Sequence, residues 1–380
     1  MKTILSPNHF NTFYMKKRIT LRLKCFVSLG GIFLFLLNLK TFAQDPIYPL
    51  LFATPSTLNP AMSGLTEGLA KFNFSHRVRR ATEVDNFSTT TFCADYAYRG
   101  ERYGEKDNIA GGSLVVVSDR AGGMNTLYSF LSGAYEVPLG KKIRYNQLRG
   151  GFQLGMIQRT LVEPALLFED QFDGKGFTRA TTEGFPTTTS FNMDIAMGVM
   201  WYTTQVIPGN REFNYFAGFN ANHINRSKLG MYAFENERAT IRYTMMAGVK
   251  FRPGNSLLDN RLDFNLNAIY SIHNNSKLLT INPMARLVFF DKGRNMGKEK
   301  AGIFVGTCFR LYDSFVSYIG LEYKRTYSFA FAYDLLVSKY KITPSSYGGI
   351  QVIFSYNVKP VDFDLYKYSK RDTPLPFPIF

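Results

Sequence analysis

Long apolar runs are missing from the chain beyond residue 43. A transmembrane helix needs about 20 consecutive apolar residues, so helical insertion of that part is excluded. Cysteine is also scarce, since only Cys93 and Cys308 follow residue 43. Two thiols make neither a disulfide framework nor a metal cluster. A disulfide between them would need a Cα separation of about 4.4–6.8 Å, and this demand favours two unrelated buried thiols.

Motifs of catalysis and of nucleic-acid binding are missing as well. Neither G-x-S-x-G nor H-E-x-x-H occurs, and His76, His223 and His273 stand outside any metal or nucleophile spacing. No basic helix or zinc spacing points to nucleic acid. We therefore expect no catalytic residue, no cofactor, no metal and no nucleic-acid partner. A hydrolase would require one of these histidines within hydrogen-bond reach of a serine and a carboxylate.

The amino terminus has the pattern of an export signal. A basic stretch, MKKRITLRLK, precedes a short apolar stretch, CFVSLGGIFLFLLNL, and then Thr41 and Ala43 at the positions of a signal-peptidase site. We expect residues 1–43 to be a signal peptide. Met15 also gives a conventional start, so we interpret 1–14 as an over-long start. Removing the leader leaves 38 basic against 29 acidic residues, a charge of +9 (45 − 7 − 29).

What the chain has in abundance is aromatic residues and glycine, with 35 Phe, 23 Tyr and 31 Gly. Aromatic side chains favour the pleated surface of β-strands. Period-2 alternation between turn residues predicts fourteen strands. They are 69–76, 87–98, 109–117, 127–137, 148–159, 190–203, 213–222, 239–251, 261–272, 277–290, 300–311, 315–325, 326–337 and 347–357.

The penultimate predicted strand, TYSFAFAYDLLV, shows the alternation most clearly. Tyr327, Phe329, Phe331 and Tyr333 share one face, and small or polar residues share the other. Such rings would form the core of a soluble sandwich or the lipid-facing side of an outer-membrane barrel. Segments of about ten residues match tilted membrane strands, whereas sandwich strands are usually nearer 5–6. The pattern therefore predicts an all-β fold, a single transmembrane antiparallel β-barrel of about 14 strands with these aromatics facing lipid.

The domain organisation follows from these elements. We predict an N-terminal arm over 44–68, an outer-membrane barrel over 69–357 and a C-terminal tail over 358–380. If the amino terminus is periplasmic, odd-numbered connections lie outside the cell. The longest connection, 160–189, is the fifth, and long loops of such barrels lie outside.

The arm and the long connection each leave two interpretations open. Pro55, Pro60 and Gly64 exclude a regular helix or central strand, so the arm is either periplasmic or folded into the lumen; we expect a periplasmic arm. The long connection carries Glu169, Asp170, Asp173 and Glu183. Carboxylates suit calcium, but the spacing does not fit an EF-hand and favours a solvated loop.

Several segments resemble one known family. The stretch DPIYPLLFATPSTLNPAMSG resembles the opening of the PorP/SprF family of type IX secretion-system membrane proteins. Its matching positions are Gln44, Asp45, Pro46, Leu58, Asn59, Pro60, Ala61 and Gly64. YEVPLGKK is similar to the end of the family's fourth strand, and LLFEDQFDGKGF to its loop motif at Asp170, Gln171 and Asp173. SFAFAYDLLVS and YGGIQVIFSYNV are similar to its last two strands. The chain departs from the family pattern at Met62 and Ser63 and in its tail, PLPFPIF, which lacks a cysteine.

This resemblance implies a non-enzymatic outer-membrane barrel of Bacteroidota-like bacteria. Such proteins help to export or anchor particular secreted proteins, often adhesins, and some contribute to gliding motility. The implied partners are outer-membrane lipid, the type IX secretion machinery and a secreted substrate with a C-terminal signal domain. The arm and the tail would serve as periplasmic handles. A porin or hydrophobic-solute transporter is the alternative, because it shares the barrel pattern.

Overall fold

Strands form almost all of the part of the chain that the computed structural model describes. That part comprises residues 53–66, 68–80, 86–102, 105–139, 146–162, 168–179, 189–203, 206–207, 211–227, 238–252, 261–290, 299–311, 313–336 and 348–358. No helix within these ranges is long and apolar enough to span a membrane. The predicted signal peptide, the first residues of the predicted arm and residues 359–380 of the predicted tail lie outside the described residues.

The described strands comprise fifteen segments. They are β1 (Ala70–Arg80), β2 (Asn86–Arg102), β3 (Glu105–Ala121), β4 (Met124–Pro138), β5 (Asn146–Leu161), β6 (Thr189–Thr203), β7 (Val206–Ile207), β8 (Arg211–Asn222), β9 (Arg242–Arg252), β10 (Leu262–His273), β11 (Ser276–Phe290), β12 (Glu299–Arg310), β13 (Ser314–Tyr323), β14 (Tyr327–Leu336) and β15 (Gly349–Val358). Two short helical elements precede them, α1 (Pro55–Leu58) and a 3₁₀ turn (Pro60–Met62).

These segments close into a barrel of fourteen antiparallel strands. Each strand pairs with its neighbours in the chain except that β6 and β7 both pair with β8, and β1 pairs with β15. Segments β6 and β7 form a single strand of the barrel. Both pair with β8, and the pairs Tyr202–Phe216 and Val206–Glu212 belong to one continuous register. Ala70 pairs with Val358, so the chain enters and leaves the barrel at the same end, the terminal end. The predicted fold class and strand number are confirmed.

The strands of the first half are longer than predicted. Strands β2 and β3 each have 17 residues, and pairs such as Arg102–Glu105 and Ser88–Arg120 extend the ladder at its two ends. The ladder continues there because each backbone still finds a partner, although the apolar alternation has ended. Between β13 and β14, where the predicted strands abut, a turn begins at Lys324, whose φ is 51°.

The two faces of the wall differ sharply in exposure. On β14, Tyr327, Phe329, Phe331 and Tyr333 point outward and are 48%, 48%, 40% and 37% exposed. Their neighbours Ser328, Ala330, Ala332 and Asp334 point inward and are between 0% and 7% exposed. The same division runs along β4, β9 and β15. The predicted alternation is therefore present, with the aromatic residues on the outer surface.

The interior is filled rather than open. Inward side chains include an apolar cluster around Met200, Phe216 and Met246, all buried. Inward charges are buried and paired, as where Arg310 and Arg77 lie 2.6 and 2.7 Å from the carboxylate of Asp334. In a wide aqueous channel both faces of the wall would meet water. Burial of the inner face shows a packed interior among the described strands.

Candidate functional site

The N-terminal arm supplies part of the packing inside the barrel. Residues Ala53–Thr66 are almost completely buried, and Asn59 and Ala61 are 0% exposed. Their partners are inward-facing groups of the barrel wall, so this segment lies inside the barrel. The expectation of a periplasmic arm is corrected for residues 53–66, and the alternative of a segment folded into the lumen holds. The physical reason is that the inner wall offers an apolar cluster and hydrogen bonds that replace water.

A furrow of small residues receives the arm. Five directly paired positions cross strands β2 to β6 without a side chain larger than methyl: Ala97, Gly111, Ala134, Gly151 and Gly198. We call this row the inner groove. A Cβ built on Gly151 would collide with the backbone of Pro60 and Ala61. Glycine at these places therefore lets the arm backbone approach the wall backbone directly.

The arm itself needs glycine where it leaves the groove. Gly64 has a φ of +65°, in the left-handed region, and its Cα lies against Gly111 and the carbonyl of Tyr96. Any Cβ there would collide with these backbone atoms. Both its conformation and its contacts exclude a larger residue.

Asn59 joins the arm to two neighbouring strands of the barrel wall. Its Oδ1 accepts the Ala61 N–H at 2.9 Å and so caps the 3₁₀ turn. Its Nδ2 donates to the carbonyls of Val199 and Phe219 at 3.2 and 3.4 Å. These carbonyls belong to β6 and β8. One side chain thereby shapes the arm and joins it to both strands.

Arg149 of β5 holds the next turn of the arm. Its Nε and Nη2 donate to the carbonyls of Ala61 and Ser63 at 2.9 and 2.7 Å. Its Nη1 donates to Glu136 Oε2 at 3.0 Å, and the Tyr202 hydroxyl donates to that same oxygen at 2.6 Å. Arg149 is 0% exposed. A guanidinium so deeply buried is tolerated because a carboxylate and two carbonyls surround it.

A cluster of small polar side chains attaches the arm to β2 and β3. The Ser113 hydroxyl donates to Ser56 Oγ at 2.9 Å, and Ser56 Oγ lies 3.6 Å from Cys93 Sγ. The Cys93 thiol donates to Asp95 Oδ2 at 3.2 Å, and Asp95 Oδ1 accepts the Gly64 N–H at 3.2 Å. The described part of the arm is thus bonded to the wall near both of its ends.

The two thiols are free and buried, as the distance argument favours. Cys93 belongs to an apolar cluster with Val115, Tyr128 and Ile157, and Cys308 belongs to the larger cluster that includes the arm.

The family-motif residues of the described part of the arm lie in or beside the inner groove, and Gln44, Asp45 and Pro46 lie outside the described residues. Asn59, Pro60, Ala61 and Gly64 make the contacts described above, and Leu58 packs against the larger apolar cluster. Sequence inspection singled out these residues by resemblance, without a physical role. It missed Arg149, Glu136 and Tyr202, although alternation places all three on the inner face. No sequence pattern indicates that these side chains hold the arm.

The other motif residues lie in an exposed hairpin, residues 168–179, at the barrel end opposite the terminal end. Asp170 and Gln171 belong to a 3₁₀ turn, and Gln171 Oε1 accepts the Phe168 N–H at 2.9 Å. Phe172 and Phe177 form a bridge, and their rings are 5.2 Å apart while 47% and 49% exposed. The hairpin therefore presents an ordered aromatic pair to the outside.

Asp173 organises the tip of this hairpin. Its Oδ1 accepts the backbone N–H groups of Lys175 and Gly176 at 2.9 and 2.8 Å, and its Oδ2 accepts the Thr178 hydroxyl at 2.6 Å. These hydrogen bonds, that of Thr178 first, lower the pKa of Asp173 from 3.8 to about 2.

The calcium interpretation gains no support in this hairpin. The carboxylate of Asp173 is already engaged by the loop's own donors. Among the described residues no group of three or more His, Cys, Asp or Glu side chains forms a metal site. Glu183 lies outside the described residues.

The three described histidines lie at two places, with His223 and His273 near each other and His76 apart from them. His223 Nδ1 lies 2.8 Å from Asp194 Oδ1, with the ring of His273 6.0 Å away, and His76 Nδ1 lies 2.9 Å from Thr90 Oγ1. His223 thus has the carboxylate neighbour that a hydrolase would require. The family and the fold are nevertheless those of a secretion-system membrane barrel rather than of a known enzyme class.

Comparison with solved structures finds similar outer-membrane proteins. The Ralstonia pickettii toluene transporter TbuX is 11% identical, with a TM-score of 0.43, covering 83% of this chain and 95% of its own. A Pseudomonas aeruginosa FadL homologue is 8% identical, with a TM-score of 0.42, covering 83% and 98%. CdiB from Acinetobacter baumannii is 10% identical, with a TM-score of 0.40, covering 76% of this chain, which spans only 60% of CdiB. Likenesses of this size carry no argument about function.

Comparison of sequences gives a sharper result. No curated protein matches the chain. The family model described as type IX secretion system membrane protein PorP/SprF matches residues 40–356. This match extends from before the arm into β15 and includes both motif regions, the inner groove and the exposed hairpin. The chain therefore belongs to the PorP/SprF family of type IX secretion system membrane proteins.

Proposed function

We propose that this barrel is a secretion accessory that helps to export particular proteins or to hold them at the cell surface. Its substrates would be large secreted proteins with a C-terminal signal domain, such as adhesins, and some would serve gliding motility. Membership of the PorP/SprF family supports this role, and family and fold together give the outer membrane as its location. The role is docking, and it requires no catalytic step.

The packed interior is the observation that favours a docking role over diffusion of a solute through the barrel. A porin or a hydrophobic-solute transporter needs a passage along which its solute moves. Here the inner-facing side chains of Asn214, Asp263 and Ser355 are all 0% exposed, and the arm occupies the inner groove. A barrel built in this way suits a membrane anchor better than a conduit.

The exposed hairpin is the proposed contact for the substrate. With the terminal end toward the periplasm, residues 168–179 lie outside the cell, and the turns at the terminal end would meet the secretion machinery. An exposed, ordered aromatic pair is the kind of group that anchors protein interfaces. The hydrogen bonds of Asp173 hold the hairpin tip in one shape and so reduce the entropy lost on binding.

The test is the double substitution Phe172→Ser and Phe177→Ser in the chromosomal copy, with Lys175→Ser as a matched control in the same hairpin. The Lys175 side chain is exposed, and only its backbone N–H bonds to Asp173. We expect the double variant to reach the outer membrane in normal amounts while its substrate falls on the cell surface and rises in the medium. The control should behave as wild type. Unchanged surface substrate in the double variant would contradict the proposed contact.

A further inference from the structure

We propose that the inner groove is a peptide-binding site filled permanently by this chain's own residues 53–66, a segment we call the plug. The plug is an internal ligand that seals the barrel, so the lumen carries neither ions nor substrate. A secreted partner would then be held by the outside of the barrel and its loops. This inference concerns the barrel itself and stands apart from the identity of any substrate.

The groove has the features of a built binding site. Gly111 and Gly151 admit arm backbone where any other residue would collide, and Arg149 donates to two nearby arm carbonyl groups, those of Ala61 and Ser63. Hydrogen bonds to carbonyl groups recognise the backbone of a peptide rather than particular side chains. The groove crosses β2 to β6, so the plug lies across the strands and obstructs the lumen instead of extending along its axis.

The hydrogen bonds that hold the plug are distributed over several strands, and this distribution favours a plug that stays in place permanently. Ser56 bonds to β3, Asn59 to β6 and β8, Gly64 to β2, and Thr66 Oγ1 donates to Asn357 Oδ1 of β15 at 3.3 Å. Release would break bonds to widely separated strands together. It would also leave the buried charges of Arg149 and Glu136 beside an empty groove.

The first test is electrical. The membrane-extracted wild-type protein, reconstituted in a planar lipid bilayer, should show no current steps above the bilayer baseline. Gly151→Leu forces a side chain into the place of Pro60 and Ala61 and should produce open steps. The control Gly150→Leu lies on the same strand facing outward, where a Cβ meets nothing within 4 Å, and should stay silent. Open steps in the wild-type protein would overturn the seal, as would a folded, silent Gly151→Leu.

The second test does not depend on Gly151→Leu folding. Ser56 Oγ lies 3.6 Å from Cys93 Sγ, so Ser56→Cys places a second thiol next to a native one. Under oxidising conditions the folded variant should form a disulfide between positions 56 and 93, leaving Cys308 as its single free thiol in the described part of the chain. The Ser56→Cys, Cys93→Ser variant is the control and should form none. A folded Ser56→Cys variant that keeps both thiols free would show that the plug is absent.

The same disulfide distinguishes a permanent plug from a gate. In cells carrying oxidised Ser56→Cys, the amount of substrate on the surface should equal wild type, with or without a mild reductant. Loss of surface substrate that reductant restores would show that the plug must leave the groove, and would overturn permanence. The bilayer currents would still report on the seal if the secretion role itself proved wrong.

Discussion

Replacing Arg149 by methionine should strongly destabilise the barrel, because this side chain joins the arm to a buried carboxylate. The substitution keeps much of the apolar volume of the side chain but removes its charge and its three hydrogen bonds. Glu136 is 1% exposed, so its carboxylate would stay buried without its cationic partner. Removing one partner of a buried ion pair typically costs about 3–5 kcal/mol. We expect a loss of that size in the free energy of unfolding.

A double substitution separates the buried charge from the lost carbonyl contacts. Arg149→Met with Glu136→Gln leaves no uncompensated charge, and the new amide can still accept from Tyr202. The arm carbonyls remain without their donor, which costs about 1–3 kcal/mol for a buried polar group. The double variant should therefore be more stable than Arg149→Met alone, by roughly 2 kcal/mol.

The measurement is urea unfolding in detergent micelles, followed through the single tryptophan, Trp201. Trp201 lies on β6, next to the inward Met200 that pairs with Arg149, so its emission reports on this sector of the wall. A stability of Arg149→Met within about 0.5 kcal/mol of wild type would refute the reasoning, because changes of that size are typical of surface positions. A double variant less stable than the single one would refute it as well.

Three further predictions concern other parts of the molecule. Phe329→Arg should destabilise the membrane-inserted barrel by about 2–4 kcal/mol, against less than about 1.5 kcal/mol for Phe329→Leu, measured by urea titration in lipid vesicles; equal effects would contradict a lipid-facing position. Because the pKa of Asp173 is lowered from 3.8 to about 2, its carboxylate stabilises the hairpin tip above about pH 4 and loses this effect as the pH falls toward 2. The hydrogen-exchange rate of the Gly176 amide, corrected for its intrinsic rate, should rise in wild type as the pH falls from about 4 to about 2. In Asp173→Asn this exchange should be fast at every pH. Cys93 and Cys308 are each 0% exposed, so maleimide should label neither in the folded protein and both in urea, as read by mass spectrometry; rapid labelling of the folded form would contradict their burial.

Sequence patterns predicted the wall of the barrel well. Alternation along each strand is local, so the outward placement of Tyr327, Phe329, Phe331 and Tyr333 needs no knowledge of neighbouring strands. The number of strands follows for the same reason, since each is bounded by its own turn residues. Strand ends were less predictable, as in β3, because backbone pairing continues after the side-chain pattern stops.

The inner groove could not be predicted in the same way. Gly111, Gly151 and Gly198 become a row only through the registers of three successive strand pairs, and no local pattern specifies a register across long connections. The position of the arm could not be predicted for the same reason, because it depends on that row of small residues. Its prolines and Gly64 excluded regular structure, but only the groove shows why the arm lies inside the barrel.

The most direct test of the proposed role is deletion of the gene, followed by quantitative proteomics of the culture medium and the cell surface. Loss of one or a few large proteins with C-terminal signal domains from the surface, with other type IX substrates unchanged, is the predicted result and would identify the substrate. An unchanged set of secreted and surface proteins, together with altered uptake of a solute, would contradict the role and leave a transporter in its place.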